Sequence, residues 1–419
     1  MPRQSGAVQL DLFGHVVAAY TESPSGVLNN DDLYSILVAK GGLDKASLEE
    51  RSPIGVSGAM HNQTKRRVRW FQQSLKSLKV IERVEGQRGV WRLTEEAGKG
   101  LHKAANEVKL IAFSTDLGLA IWGRCQDVFT SLDEPISLAV SSPPYLLRQP
   151  RAYGNPSEPE YVDFICIALE PIVRNLVPGG SIVLNLGQDA FVSKSPARSL
   201  YLERLILALH DRLGLSLMDR IPWVNYSKPP GPTWWSCVNR VQLTASYEPV
   251  IWMTNDPSCV RSDNRRVLQA HSEKHLKLIG QGGERRSAVY GDGAYRIRPN
   301  DFGRHTEGRI PRNVIERGHA CADTLAYRQH ARRLGLPLHG AMHPTAIADF
   351  FIRFLTEPDE LVVDPFGGTV RTGLAAERLG RRWLVSEWIL QYLRGSAELF
   401  RGYAGFSMHQ ALDAVGAVD

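Results

Sequence analysis

The chain has 419 residues, 43% hydrophobic and 22% charged, a balance ordinary for a soluble globular protein of two or three domains. Met1 to Gly6 holds no apolar leader, no apolar run is long enough to span a bilayer, and the five cysteines (Cys125, Cys166, Cys237, Cys259, Cys321) never form a CxxC pair. That argues against export, membrane insertion, a disulfide framework and a metal site, and for a reducing cytoplasm. The net charge of +6 is uneven: residues 1–110 hold 16 Lys/Arg against 12 Asp/Glu, residues 255–340 hold 16 against 9, and the rest is mildly acidic. Two basic segments suit a polyanionic partner, with nucleic acid the first candidate.

Residues 1–26 read as a lead-in arm containing Ser23-Pro24-Ser25-Gly26. From 27 to 108 a compact helical pattern ends in a hairpin. Asn30-Asp31-Asp32 supply a cap and an acidic first turn for a helix over Leu33–Ala39, and Gly41-Gly42 break it. A second helix spans Thr64–Lys79, with Val68, Phe71, Leu75 and Leu78 as its buried stripe and Arg66, Arg69, Gln73 and Lys76 opposite. Val80–Val84, a turn through Gly86-Gln87-Arg88-Gly89, and Val90–Leu93 read as strand, turn and strand. Helices followed by a hairpin with a basic outer helix face resemble a winged helix-turn-helix domain. The resemblance implies DNA contact through Arg66, Arg69, Gln73, Lys76 and Arg88; a protein partner fits the same face, and so does a merely solvated one.

Residues 109–254 and 340–402 read as two parts of one α/β domain, followed by a tail over 403–419. The first part carries strands at Gly118–Trp122, Ile136–Val140, Ser181–Leu186 and Pro249–Met253, with a helix over Val162–Leu176 stopped by Pro178-Gly179-Gly180. The second part opens with a helix over Thr345–Leu355, then the strand Leu361–Asp364. Between them the insert 255–339, rich in Gly, Arg and His, has little periodicity.

Two loops carry the chemistry. Ser142-Pro143-Pro144-Tyr145 follows the strand Ile136–Val140, so a proline-stiffened loop sits at the carboxyl end of a strand, where open α/β sheets place active sites. Rigid outward carbonyls beside an aromatic ring suit a flat, amine-bearing substrate such as a nucleobase. The second loop, Asp364-Pro365-Phe366-Gly367-Gly368-Thr369-Val370-Arg371-Thr372, joins a strand to a helix over Gly373–Leu379. Its glycines let the backbone approach a ligand. Glu387, which ends the next strand, stands at roughly the separation from Asp364 at which Rossmann-like folds put an acid on a ribose. The turn lacks G-x-G-x-x-G, so an adenosine ligand without a pyrophosphate fits it better than a dinucleotide.

These motifs resemble those of amino-methylating DNA methyltransferases. Ser142 to Tyr145 matches the family's catalytic motif and Asp364 to Thr369 is similar to its S-adenosylmethionine motif. Pro178 to Asn185, Tyr247-Glu248-Pro249-Val250 and His343-Pro344-Thr345 are similar to three further landmarks. The catalytic loop precedes the cofactor loop, as in the circularly permuted β-type members.

The resemblance implies a Rossmann-like methyltransferase fold with a mostly parallel sheet and an inserted target-recognition region. It also implies methyl transfer to a flipped base in double-stranded DNA, without a covalent nucleophile. Ser142, Pro143, Pro144 and Tyr145 would be catalytic. Asp364, Phe366, Gly367, Gly368, Thr369, Glu387, His343 and Thr345 would hold the cofactor, with Phe366 against the adenine and Thr345 at the methionine end.

Serine at the head of the loop accompanies cytosine-N4 methylation in this family. An adenine-N6 enzyme, or a winged-helix regulator whose body only senses cofactor, are the alternatives. An RNA substrate is disfavoured by the look of the insert. Arg285, Arg286, Arg296, Arg298, Arg304 and Arg312 of the insert would read the sequence, and a restriction endonuclease sharing the site is a possible partner.

The chain departs from the family pattern at Val370 and Arg371, where a glycine and a small polar residue are common. A β-branched residue at that position predicts a turn unlike the glycine form. Gly123-Arg124 replaces Gly-Asp and leaves the acidic cofactor contact unassigned, with Asp127 expected to be a surface acid. Trp234-Trp235 is expected to pack, and His271 and His275 to be surface or base-contacting groups.

Overall fold

A computed structural model describes residues 15–16, 19–20, 23, 25–40, 43–54, 59–77, 81–94, 102–146, 157–226, 231–232, 234–409 and 412. Gly41-Gly42, Leu78, Val80 and Pro229-Pro230 lie outside the described residues.

The N-terminal unit runs β1 (Val27–Asn29), α1 (Asn30–Ala39), β2 (Ser52–Ile54), β3 (Ala59–His61), α2 (Gln63–Ser77), β4 (Ile81–Arg83) and β5 (Val90–Leu93). Helix α1 starts three residues before its expected first residue. Asn29 is its cap, accepting from the Asp31 and Asp32 amides, and the two acids occupy the first turn. Strand β1, unanticipated, completes a three-stranded antiparallel sheet in the order β1-β5-β4. Val68, Phe71 and Leu75 of α2 are buried with Leu33, Leu37, Ile81 and Trp91, while Arg66, Arg69, Gln73 and Lys76 face outward.

The body continues with β6 (Lys109–Ser114), β7 (Gly118–Gly123), α3 (Cys125–Phe129), β8 (Ile136–Ser141), α4 (Glu158–Arg174), β9 (Leu176–Asn185), α5 (Tyr201–Leu213), β10 (Ser216–Val224) and β11 (Tyr247–Thr254). The insert contributes α6 (Glu273–Gly280), β12 (Ala288–Tyr290), β13 (Tyr295–Ile297), β14 (Ile315–Glu316) and α7 (Ala322–Arg333). Then come α8 (Thr345–Leu355), β15 (Leu361–Asp364), α9 (Arg371–Arg378), β16 (Arg382–Glu387), α10 (Leu390–Ala397) and β17 (Ser407–Met408).

One large sheet has the order β14-β10-β11-β9-β8-β15-β16-β7-β6-β17, and its centre, from β9 to β7, is parallel. Alternate residues feed two cores. Leu138, Val140, Val183, Val362 and Val385 pack under α8 and α9, while Ala139, Ile182, Leu184 and Val363 pack under α4 and α5. Such a two-sided parallel centre puts strand-end loops on one edge, which positions the site.

Two expectations are corrected. The helix expected to run to Leu176 ends at Arg174 under an Asn175 cap, and Pro178-Gly179-Gly180 lies inside β9 rather than stopping a helix. Gly179 is required there: it has φ +73°, and a Cβ on it would stand 1.9 Å from the Cys259 carbonyl oxygen. The insert is also more ordered than its composition suggests. Strand β14 pairs parallel with β10 in the main sheet, and α7 packs against α10, so the insert's last third belongs to the body's framework.

Candidate active site

Strands β8 and β15 are parallel neighbours, and the two motif loops leave their carboxyl ends side by side. Asp364 ties them together. Its Oδ1 accepts from the Ser141 hydroxyl at 2.5 Å and from the Phe366 amide at 3.0 Å, and its Oδ2 accepts from the Thr372 hydroxyl at 2.8 Å. Burial raises this carboxyl to about 6, against the three donors that pull it down. Asp364, expected to contact cofactor, is 1% exposed, points at the protein's own donors and lines neither cavity described below.

The cofactor loop turns on its backbone. The Gly367 amide donates to the Ser386 carbonyl at 2.8 Å, and a Cβ on Gly367 would meet Val385 Cγ1 at 2.1 Å. Gly368, at φ +50°, donates its amide to Glu387 Oε2 at 2.7 Å. Val370 takes φ +55° and ψ 36°, so the turn keeps the left-handed form that its β-branched side chain was expected to prevent.

What holds Val370 there is burial on every side. Its own side chain is fully buried, and next to it the 1%-exposed Arg371 is wedged into the framework. Arg371 Nε donates to Thr369 Oγ1 at 3.2 Å and Nη2 to the Asp323 carbonyl at 3.0 Å, with the guanidinium 5.9 Å from the Tyr327 ring centroid. Thr369 is thus a prop for Arg371 and does not line the cavity.

In front of this loop lies a cavity of about 380 Å³, walled by Phe366, Gly368, Glu387 and Trp388 and reaching Ser142 to Tyr145 on its far side. That volume and its largely apolar walls suit a nucleoside-sized ligand. Phe366 packs on Phe164 with ring centroids 5.5 Å apart, presenting a flat apolar wall. Glu387 Oε1 accepts the Ile389 amide at 2.8 Å, and the Trp388 amide also acts on this carboxyl. Burial, and secondarily the nearby Asp364, hold its carboxyl up at about 8. A buried acid at the cavity wall, a flat ring and a glycine at closest approach fit an adenosine with free ribose hydroxyls. Gln126, His339 and Tyr392 also line this cavity. Sequence reasoning missed all three, because only the packing of α3, α10 and the 334–344 segment brings them together.

Asp127, expected at the surface, is half-buried, with its carboxylate accepting the Glu107 amide at 2.9 Å. The cavity side of this edge is supplied instead by Gly123 to Gln126.

A second cavity, about 270 Å³, lies across the Pro-Pro loop and shares Ser142 and Tyr145 with the first. Tyr145 is anchored at its hydroxyl, which donates to Glu248 Oε2 at 2.6 Å and accepts from Asn185 Nδ2 at 2.6 Å and from Ser142 Oγ at 3.3 Å. Burial, then the Glu248 charge, push the phenol far above its ordinary range. Gly187 makes room for the ring, since a Cβ there would stand 2.9 Å from Tyr145 Cδ2.

His343 lines this second cavity rather than the first; burial, aided by Arg371 and His319, lowers it to about 4, so it is neutral at pH 7. Thr345 is buried and lines neither cavity. Trp223 stacks on His319 at 5.5 Å in the cavity wall.

The basic candidates fall on two surfaces. Arg66, Arg69, Gln73 and Lys76 share the outer face of α2 with Trp70, a 61%-exposed indole that sequence reasoning passed over, and Arg88 is exposed in the β4–β5 turn. Arg285, Arg286, Arg296, Arg298, Arg304 and Arg312 are all exposed on the insert, Arg286 lying 3.4 Å from Glu284. His271 and His275 sit together there, with ring centroids 4.8 Å apart. Trp234, expected to pack, is 59% exposed in a π-helical turn over Trp234–Val238.

A family model for DNA methylases matches residues 136–398, from β8 through α10, and so spans both loops. The type II methyltransferase M.PvuII of Proteus hauseri is 32% identical over 290 residues, 69% of this chain and 85% of that protein. M.BglII of Bacillus subtilis is 26% identical over 274 residues, 64% of this chain and 65% of that protein. Among solved structures, the PvuII DNA methyltransferase (cytosine-N4-specific) superposes with a TM-score of 0.56 at 29% identity, covering 73% of this chain and 94% of that one.

Proposed function

The chain belongs to the DNA methylase family, and on that premise we propose its reaction: transfer of a methyl group from S-adenosylmethionine to the N4 amine of cytosine in double-stranded DNA. One observation carries this reading. Ser142 and Tyr145 line both cavities, so the loop stands between the cofactor cavity and a second cavity large enough for a pyrimidine. Identity to a relative whose solved structure is cytosine-N4-specific supports the choice of base.

S-adenosylmethionine supplies an electrophilic methyl on a sulfonium. The protein's part is to hold, aim and exclude water. Phe366 and the Gly367-Gly368 backbone receive the adenosine, and Glu387 accepts from its ribose. Across the loop, the Ser142 hydroxyl and a carbonyl of Pro143 or Pro144 accept the two amine hydrogens. That draws the nitrogen lone pair out of the ring and turns it toward the methyl. Tyr145 stacks on the base, which must leave the duplex to enter the cavity.

Further parts of the reading rest on surface chemistry. The N-terminal unit acts as a winged helix, its sheet order β1-β5-β4 and the basic α2 face supporting contact with flanking DNA. The insert's arginines select the sequence by reaching base edges and phosphates. The enzyme works in the cytoplasm, paired with a restriction endonuclease of the same specificity.

Nucleoside digestion of DNA methylated by the purified chain, followed by mass spectrometry, tests the reaction. N4-methylcytosine is expected; N6-methyladenine in its place overturns the choice of base. A regulator without catalysis would leave both bases unmodified.

A further inference from the structure

Methyl transfer leaves the N4 nitrogen with one proton too many, and the known reaction does not say where it goes. The hydrogen bonds around Tyr145 have a direction. Ser142 Oγ donates to the Tyr145 hydroxyl at 3.3 Å, and that hydroxyl donates to Glu248 Oε2 at 2.6 Å. Asn185 Nδ2 donates to the Tyr145 oxygen at 2.6 Å and to Glu248 Oε2 at 3.3 Å, so it enforces that polarity: the phenol oxygen is saturated with donors and its own hydrogen can only point at the carboxylate. Ser142 thereby spends its single hydrogen on Tyr145 and turns its lone pairs to the substrate cavity.

We infer that Glu248 is the terminal proton acceptor of the reaction, reached from the methylated amine through Ser142 and Tyr145. As the S–CH3 bond breaks and the N–CH3 bond forms, the sulfonium becomes a neutral thioether and the amine becomes a cation. As that charge develops, the amine passes one proton to Ser142 Oγ; the serine proton moves to the Tyr145 oxygen, and the tyrosine proton to Glu248. Both hydroxyls end neutral, the carboxylate ends as a carboxylic acid, and the product amine is uncharged. Tyr145 relays without ever becoming a phenolate. Glu248 sits on β11, the strand antiparallel to β9, and the pairing of Val250 with Asn185 sets its height opposite the loop.

The inference rests on the amine-methylation reading above. The other titratable groups facing Glu248 are the phenols of Tyr145 and Tyr201 and, across the second cavity, Asp189, His319 and His343.

The test is single-turnover methyl transfer for wild type, Glu248→Gln, Tyr145→Phe and the double variant. Alongside it run calorimetric S-adenosylmethionine binding and the fluorescence of a 2-aminopurine target base entering the site. Glu248→Gln keeps the shape and the acceptor oxygen but not the basicity. It is expected to slow transfer about 100-fold, with cofactor binding and base entry unchanged. Tyr145→Phe is expected to show the same loss, and the double variant no more than either single. Glu248→Asp, which restores a carboxylate, is expected to recover part of the lost rate, as a merely structural glutamine-for-glutamate effect would not.

Three results overturn the relay: a Glu248→Gln enzyme with the wild-type rate, single losses that multiply in the double variant, or a loss that follows weakened base entry. If wild type makes no N4-methylcytosine at all, it is the reaction that fails.

Discussion

The two loops at the head of the sheet use opposite means to the same end. The cofactor loop folds its polar side chains inward: Asp364, Thr369, Arg371 and Thr372 are buried and bonded to the framework, and what faces the cavity is backbone, one ring and the neighbouring Glu387. The catalytic loop does the reverse. Two imide rings fix its path, and Ser142 and Tyr145 face the cavities as side chains. A loop that binds through backbone shape can absorb unusual residues such as Val370 and Arg371 provided the shape survives. A loop that acts through side chains cannot.

Substitutions should divide along that line. The largest effect is expected from Ser142→Ala, which removes the proposed acceptor for the amine and leaves the loop's path intact. Methyl transfer should fall by about 10²–10³, while calorimetry finds S-adenosylmethionine binding unchanged. Loss of cofactor affinity in that variant would erase the distinction between the loops.

Asp364 belongs to both loops, so its removal should damage both. Asp364→Ala leaves the Ser141 hydroxyl and the Phe366 amide without their acceptor. The expected cost is about 2–3 kcal/mol in chemical denaturation, with activity and cofactor affinity lost together. Asp364→Asn keeps an acceptor oxygen for those two donors and should cost half as much or less.

Glu387 gives the comparison a pH signature. Its folded carboxyl sits at about 8, above its ordinary 4.5. The unliganded fold therefore gains stability from this group below its unfolded value and loses it as pH rises toward 8. Ribose hydroxyls donate to the ionised form, so cofactor affinity runs the other way, rising about tenfold between pH 7 and 9. Glu387→Gln should bind weakly and flatly across that range. A wild-type affinity that is flat from pH 7 to 9 would remove Glu387 from the ribose.

Much of the central sheet was legible because its signals are local. Leu361–Asp364 and the helix Thr345–Leu355 were delimited to the residue, since an apolar run between turn residues and a 3.6-residue apolar stripe need no distant partner. Strand β10 escaped because Asp219, Arg220 and Pro222 break its pattern, and only its pairing with β11 makes it a strand. Helix α5 does carry a readable stripe in Leu205, Ile206 and Leu209, lying beyond a stretch of serines around Pro196 that reads as loop.

At the site, residue identities were legible but orientations were not. Asp364 was picked out as a cofactor contact, yet its direction is decided by Ser141, 223 residues earlier in the chain. Glu248 stood in a motif that was noticed, yet its meaning depends on a β9–β11 register that no local pattern reveals.

The smallest expected effect is the sharpest test of backbone-led binding. Val370 is held at φ +55° with its side chain fully buried, so two opposed terms meet at one residue. Val370→Gly gives up about 2 kcal/mol of burial and some chain entropy, and recovers about 1–2 kcal/mol of left-handed strain. The net cost should be about 1 kcal/mol. Val363→Gly, equally buried on the preceding strand but in ordinary extended backbone, recovers nothing and should cost at least about 3 kcal/mol. Guanidinium unfolding of the pair reads the difference, and equal costs would show that Val370 carries no strain. Because the turn already has the shape glycine prefers, Val370→Gly should also leave S-adenosylmethionine affinity within about twofold. That is the outcome required of a loop that binds through its backbone.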